Sequence, residues 1–316
     1  MLYFGIDIGG TAVKYGLVTK QGELLSSCEY PVAFDQYKTP ILDTVQKTSR
    51  QFLNEHLKDK DVLKGIGVSA TGQIDTKYGV VAGGNIASWT GTKLKNALEN
   101  QYKVPVTVVN DANCAVLAEK WVGTAKNYSD VIMITIGTGI GGGVIINNQL
   151  LTGGFGYAGE LGHFSVEKDG IPCVCGNKGC YEKYASMTAL VQKVKEQKEF
   201  IDMGEIKEQE ICGRIIFDMI KNNNKTVMKL ADEWMEWISC GLVSLVHIFN
   251  PQLIVIGGGV SRQEELFIQK IREKIMSRTM KNFGRGLEIK SAAMGNQAGL
   301  IGAVYYFIQK YYKNSL

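Results

Sequence analysis

The chain has 316 residues, 45% of them hydrophobic and 21% charged. That is ordinary soluble globular composition at a length that suggests two domains. A formal net charge of +4 without any Lys/Arg block argues against a nucleic-acid partner, and no apolar run approaches membrane-spanning length. Seven cysteines, unevenly placed, are too few for a secreted disulfide scaffold. The first residues carry an acid within a strand pattern, unlike a signal peptide. A cytoplasmic protein is expected.

LYFGIDIGGTAVKYGLVT, from Leu2, predicts two strands joined by a tight turn at Gly9-Gly10. Asp7 ends the first strand, and Thr11 and Lys14 follow the glycines. An acid there can position a water-coordinated Mg²⁺, while Thr11 and the turn amides can hold phosphate. A plain hairpin whose Asp bonds its own turn gives the same pattern.

Apolar spacing from about Tyr37 to Lys60 predicts a helix with Pro40 in its first turn. GIGVSA from Gly65 predicts a buried strand that turns at Thr71-Gly72. The loop that follows carries Asn85 and Trp89, which serve equally well as a ligand pair or as a turn cap and a core ring. Val106 to Val109 reads as a strand and Asn113 onward as a helix. Asn110-Asp111 then lies at a strand's carboxyl end, where α/β folds bind ligands. Asp111 is either an N-cap or an acid that accepts a hydroxyl proton.

The chain is organised around VIMITIGTGIGGGVIINNQLLTGG, residues 131–154. A β-branched run enters Gly137, Thr138 and Gly139, more glycines follow at 141–143, and a second run leaves before an Asn147-Asn148 turn. A P-loop would need Lys-Ser/Thr and a helix after the glycines, and a dinucleotide fingerprint would also open a helix. Strand–glycines–strand is neither. Successive N–H groups in such a turn bind anions, phosphate above all.

Beyond it, Cys173, Cys175 and Cys180 have the close spacing of zinc ligands, and His163 is the nearest fourth donor. Three reduced thiols are the alternative. Zinc would pin Glu160 and Glu182 onto one rigid knuckle, suited to gripping sugar hydroxyls. Residues 184–250 read as mostly helical, ending before Pro251. LIVIGGGVS then offers a third glycine turn at Gly257–Gly259, entering a helix and fit to pack against a flat ring such as adenine. The last helix carries small residues on one side.

DIGGT, NDAN, IGTGIGGG, GELGH, CVCGNKGC followed by YE, and IGGGVS occur in the order seen in bacterial ROK sugar kinases, and the chain resembles that family over nearly its full length. The resemblance implies an α/β, two-lobed ribonuclease H-like fold of actin/hexokinase type, with a zinc knuckle in the second lobe. The lobes would be 1–120, completed by the helix 299–316, and 121–298. It implies ATP with Mg²⁺, structural Zn²⁺, a hexose substrate and a homodimer. Phosphate contacts would come from Gly9, Gly10, Thr11, Gly137, Thr138 and Gly139, with Asp7 and Lys14 beside them, and adenosine packing from Gly257 and Gly258. Sugar contacts would come from Gly72, Asn85, Asn110, Asp111, Glu160, His163 and Glu182, with Asp111 as general base toward the sixth hydroxyl. Family glucokinases commonly have Pro-Gly where this chain has Thr71-Gly72, which weakens a glucose assignment. N-acetylmannosamine, or another N-acetylhexosamine, is the alternative substrate. A sugar-sensing repressor core is the rival from another class, expected to need a DNA-binding segment ahead of residue 2.

Overall fold

The computed structural model describes residues 1–58, 61–83, 86–201 and 206–312. In chain order the elements are β1 (Leu2–Ile8), β2 (Ala12–Thr19), β3 (Leu24–Pro31), α1 (Ile41–His56), β4 (Leu63–Ala70), β5 (Gln73–Asp75), β6 (Val80–Gly83), α2 (Leu94–Tyr102), β7 (Val106–Asn110) and α3 (Asp111–Val122). They continue with β8 (Val131–Ile136), β9 (Ile140–Ile146), β10 (Gln149–Leu150), α4 (Glu182–Ala185), α5 (Met187–Glu196), α6 (Gly213–Lys221) and α7 (Lys225–Phe249). The chain closes with β11 (Leu253–Gly258), α8 (Gln269–Arg278), α9 (Lys281–Gly284), β12 (Glu288–Ser291) and α10 (Ala298–Tyr311). Two compact units result: Met1–Asn127 with Gly143–Gly159 and Ala293–Leu316, and Tyr128–Gly142 with Glu160–Ala292. The first cut falls after Asn127 rather than residue 120. The segment Gly143–Gly159 joins the first unit because Gly143 lies against Val116 of α3.

The first unit is built on a five-stranded sheet of order β3-β2-β1-β4-β7. β2 and β3 are antiparallel, whereas β1, β4 and β7 are parallel, with Asp7 beside Ser69 and Ala70 beside Asn110. Alternation along β1 decides its two faces. Phe4, Ile6 and Ile8 are fully buried with Tyr15 and, from α1, Val45 and Phe52. The Phe4 and Phe52 rings stack at 5.7 Å. Tyr3, on the other face, packs with Val304 and Phe307 of α10.

α10 lies unusually close to its neighbours because its small face meets them backbone to backbone. A Cβ added at Gly302 would sit 1.8 Å from the Cys114 carbonyl oxygen of α3. Gly→Ala inside a helix ordinarily stabilises by about 1 kcal/mol. Here the sign should reverse, because backbone cannot swing aside as a side chain can. Gly302→Ala is expected to lower stability by about 1–3 kcal/mol, the usual cost of overpacking, read from a denaturant midpoint.

In the second unit β8, β11 and β12 form a parallel stretch, with Ile254 beside both Ile132 and Ile289. The long α7 buries Trp234, Ile238, Leu242 and Leu245. The Trp234 ring stacks on Phe267 at 5.2 Å, and its Nε1 donates to the Ala185 and Ser186 carbonyls at 3.0 Å. α7 ends in Asn250 at φ 45°, a left-handed cap that precedes Pro251.

Several expected boundaries move. The helix expected from Tyr37 starts only at Ile41, since Gln36 and Tyr37 have φ of 59° and 62°. Pro40 therefore precedes the helix instead of lying in its first turn. β9 begins at Ile140, so residues 141–143 extend a strand and only Gly137–Gly139 form the turn. A Cβ at Gly142 would lie 2.5 Å from Leu161 Cγ, which explains a glycine there by packing. After β11 the chain makes a 3₁₀ turn at Gly259–Arg262 and a π turn at Glu264–Ile268 before α8, rather than entering a helix directly. The Asn147-Asn148 turn has φ of 51° and 62°, the paired left-handed residues of a tight hairpin. No helix among the described residues is long and apolar enough to cross a membrane.

Candidate active site

Three parallel strands of the first unit deliver their carboxyl ends side by side. Asp7, one residue before the end of β1, is half-buried on the face toward α10. Its Oδ1 accepts from Ser69 Oγ at 2.7 Å, and its Oδ2 lies 3.7 Å from Lys14 Nζ. Burial raises its carboxyl above the ordinary range, outweighing Ser69 and Lys14, which pull the other way. A Cβ at Gly299 would meet Asp7 Cγ at 2.3 Å, so the first turn of α10 has yielded its side-chain space to this carboxylate. The Gly9–Thr11 turn is closed by Gly9 N donating to Ala12 O at 2.9 Å, and Tyr37 Oη donates to the Gly10 carbonyl at 2.5 Å. Thr11 is exposed.

β4 runs into the Thr71-Gly72 turn, whose two carbonyls are both engaged. Trp89 Nε1 donates to Thr71 O at 3.2 Å, and Asn110 Nδ2 donates to Gly72 O at 2.9 Å. Trp89 is buried and so resolves to a core ring that braces the turn. Asn85 lies outside the described residues.

At the end of β7, Asn110 and not Asp111 is the N-cap of α3. Asn110 Oδ1 accepts from Ala112 N at 2.9 Å and Asn113 N at 3.3 Å. Its side chain thereby serves the helix through one atom and the Gly72 carbonyl through the other. The cap frees Asp111 from that duty: it is the first helical residue, exposed, with Oδ1 accepting from Ala112 N at 2.8 Å. A carboxylate in a helix's first turn is favoured by the positive end of the helix dipole.

The second unit presents two glycine turns at the carboxyl ends of adjacent strands. β8 runs into Gly137–Gly139, where Gly137 N donates to Gly139 O at 3.0 Å. β11 pairs Gly257 with Thr135 and Gly258 with Ile136. Gly258 has φ 86°, and a Cβ there would lie 2.2 Å from Ile136 O. Both the left-handed backbone and the close approach demand glycine.

His163, Cys173, Cys175 and Cys180 place their donor atoms within 4.8 Å of one another. Cys173 Sγ is 3.6 Å from His163 Nδ1, and Cys175 Sγ is 3.5 Å from Cys180 Sγ. A tetrahedral zinc with Zn–S bonds near 2.3 Å has an edge of about 3.8 Å, so the donor set fits such an ion in both kind and size. Burial, with Cys175 and Cys173 beside it, pushes the Cys180 thiol up to about 12, whereas the Asn177 backbone N–H pulls Cys175 below the ordinary thiol value. The second histidine nitrogen, Nε2, lies 4.0 Å from Glu160 Oε2, and Glu160 is exposed. Glu182 is engaged through one oxygen: its Oε2 accepts from Ile140 N at 2.9 Å.

Tyr37, Ser69 and Glu119 were not singled out from the sequence. Glu119 is fully buried, its Oε1 accepting from Ala293 N at 2.7 Å and Met294 N at 2.8 Å, its Oε2 from Thr124 N at 2.8 Å. Apart from Thr124, their partners are distant in sequence, and no local pattern marks them.

The ROK family model matches residues 3–310. The chain is 33% identical over 306 residues to a glucokinase of Halalkalibacterium halodurans, covering 95% of this chain and 93% of that one. It is 36% identical over 307 residues to a beta-glucoside kinase of Listeria innocua, covering 96% of both. A ROK family glucokinase from Streptomyces griseus, solved in complex with glucose and AMPPNP, superposes with a TM-score of 0.81 at 32% identity, covering 96% of this chain and 98% of that one.

Proposed function

The chain belongs to the ROK family, and from that premise we propose that it is an ATP-dependent sugar kinase. In this reading it transfers the γ-phosphate of ATP to a hydroxyl, the sixth, of a hexose such as glucose. The observation that carries it is the exposed Asp111 carboxylate at the carboxyl end of β7, relieved of capping by Asn110. Asp111 would accept the proton of the attacking hydroxyl, as a base must when an alcohol attacks phosphorus.

Gly72, Asn110, Glu160, His163 and Glu182, together with Asn85, would orient the sugar hydroxyls. In the Gly9–Thr11 and Gly137–Gly139 turns, the N–H groups of Gly10, Thr11, Thr138 and Gly139 would receive phosphate oxygens, with Lys14 beside Asp7 adding positive charge. Gly257 and Gly258, having no side chains, would let the adenine ring approach β11. Mg²⁺, when bound, neutralises charge on the transferring phosphoryl group. Asp7, an oxygen donor of the right type, would orient its water shell. His163 Nδ1 with the three cysteines would hold zinc, and that ligation leaves His163 Nε2 as an N–H donor facing Glu160 and the sugar.

The reading is tested by ATP-dependent ADP release, with Mg²⁺, across glucose, fructose, N-acetylmannosamine and a β-glucoside such as cellobiose. Turnover concentrated on one of these is expected. Detectable sugar binding without turnover on any of them would overturn the kinase reading in favour of a sugar sensor.

A further inference from the structure

Three consecutive hydrogen bonds fasten the Gly137–Ile140 turn to the segment that follows the cysteine knuckle. Met187 N donates to Gly137 O at 2.9 Å, and Thr188 Oγ1 donates to Thr138 O at 2.7 Å. Glu182 Oε2 accepts from Ile140 N at 2.9 Å, in the space that Gly139 leaves, since a Cβ there would lie 2.3 Å from that oxygen. The segment is itself anchored at the two residues that follow Cys180: Tyr181 N donates to Phe164 O and Glu182 N to Gly162 O, both at 2.9 Å.

A trans peptide is planar, with its C=O and N–H pointing in opposite directions. Holding the Gly137 and Thr138 carbonyls toward Met187 and Thr188 therefore turns the N–H groups of Thr138 and Gly139 the other way. Those are the groups an anion-binding turn needs aligned. Without the tether, either peptide plane could flip and present a carbonyl oxygen to a phosphate, replacing attraction by repulsion.

We propose that Glu182, Met187 and Thr188 are positioning residues for nucleotide phosphate: the segment after the knuckle sets the orientation of the Thr138 and Gly139 amides and thereby the affinity for ATP. This rests on the kinase reading for the identity of the anion. Thr188 is the clean probe, because it is exposed and lies outside the sugar-contact set. Met187 acts through its backbone, and Glu182 is also a proposed sugar contact.

The test compares wild type, Thr188→Val and Thr188→Ser in two measurements. Calorimetry gives the Kd of a non-hydrolysable ATP analogue with Mg²⁺, and steady-state kinetics gives KM for ATP and for the sugar separately. Loss of one hydrogen bond should weaken nucleotide binding by about three- to tenfold in Thr188→Val, raise KM for ATP in step, and leave KM for the sugar unchanged. Thr188→Ser, which restores the hydroxyl, should return both values to wild type. Unchanged analogue affinity in Thr188→Val would overturn the proposal, as would an equal rise in both KM values. If wild type binds the analogue yet phosphorylates no sugar, the kinase reading fails, while the ratio of analogue affinities still decides the role of Thr188.

Discussion

Asp111→Asn should lower turnover on the cognate sugar by about 10²–10⁴-fold, the usual contribution of a positioned general base, while sugar binding persists. The substitution is nearly isosteric, and the new side-chain oxygen can still accept from Ala112 N, as Asp111 Oδ1 does now. The α3 cap lies on Asn110 and is untouched. The folded state loses a charge–dipole interaction at the helix start, worth about 0.3–1 kcal/mol. A deep loss of kcat with little change in melting temperature or in sugar Kd is thus the specific signature. Near-normal kcat would remove Asp111 from the role of base, and lost sugar binding would make it an orienting group instead.

The second large effect concerns the knuckle. Metal analysis should find about one zinc per chain, as the four-donor set requires. Cys180→Ser should abolish it, because a serine hydroxyl is not a thiolate and Cys180 is fully buried with no room for a replacement ligand. If the metal contributes about 2–3 kcal/mol, its loss lowers Tm by about 4–12 °C in a domain of this size. Prolonged chelation of the wild-type protein should reproduce that shift, and added zinc should reverse it. Because His163 Nδ1 lies in the same donor set, metal loss should also weaken sugar binding. A metal-free protein with unchanged Tm would sink the zinc assignment.

Much of the architecture is legible in local patterns. The alternation in residues 2–19 and the β-branched run before Gly137 follow from side-chain geometry over a few residues, and β1, β2 and β8 appear where those patterns stand. The four metal donors are likewise close in sequence, and their spacing alone brings them to mind before they are found within 4.8 Å. The division of labour between Asn110 and Asp111 is not legible in this way. Both residue types cap helices equally well, and the choice is made by the Gly72 carbonyl, 38 residues away, which engages the Asn110 amide. The same holds for Glu182, whose nearest sequence neighbours suggest a ligand for sugar while its carboxylate reaches the amide of Ile140.

What the sequence determined by itself is the set of strands, the glycine turns at their ends and the order of chemical groups along the chain. Those depend on backbone sterics and side-chain period, which act between near neighbours. The tertiary structure alone decided which face of β1 receives α10, how closely Gly302 may approach α3, and which of two adjacent polar residues is left exposed at the end of β7. Those outcomes depend on contacts between segments far apart in the chain. Such contacts exist only once the elements have packed, and packing tolerates one arrangement of backbones where local propensity tolerates many.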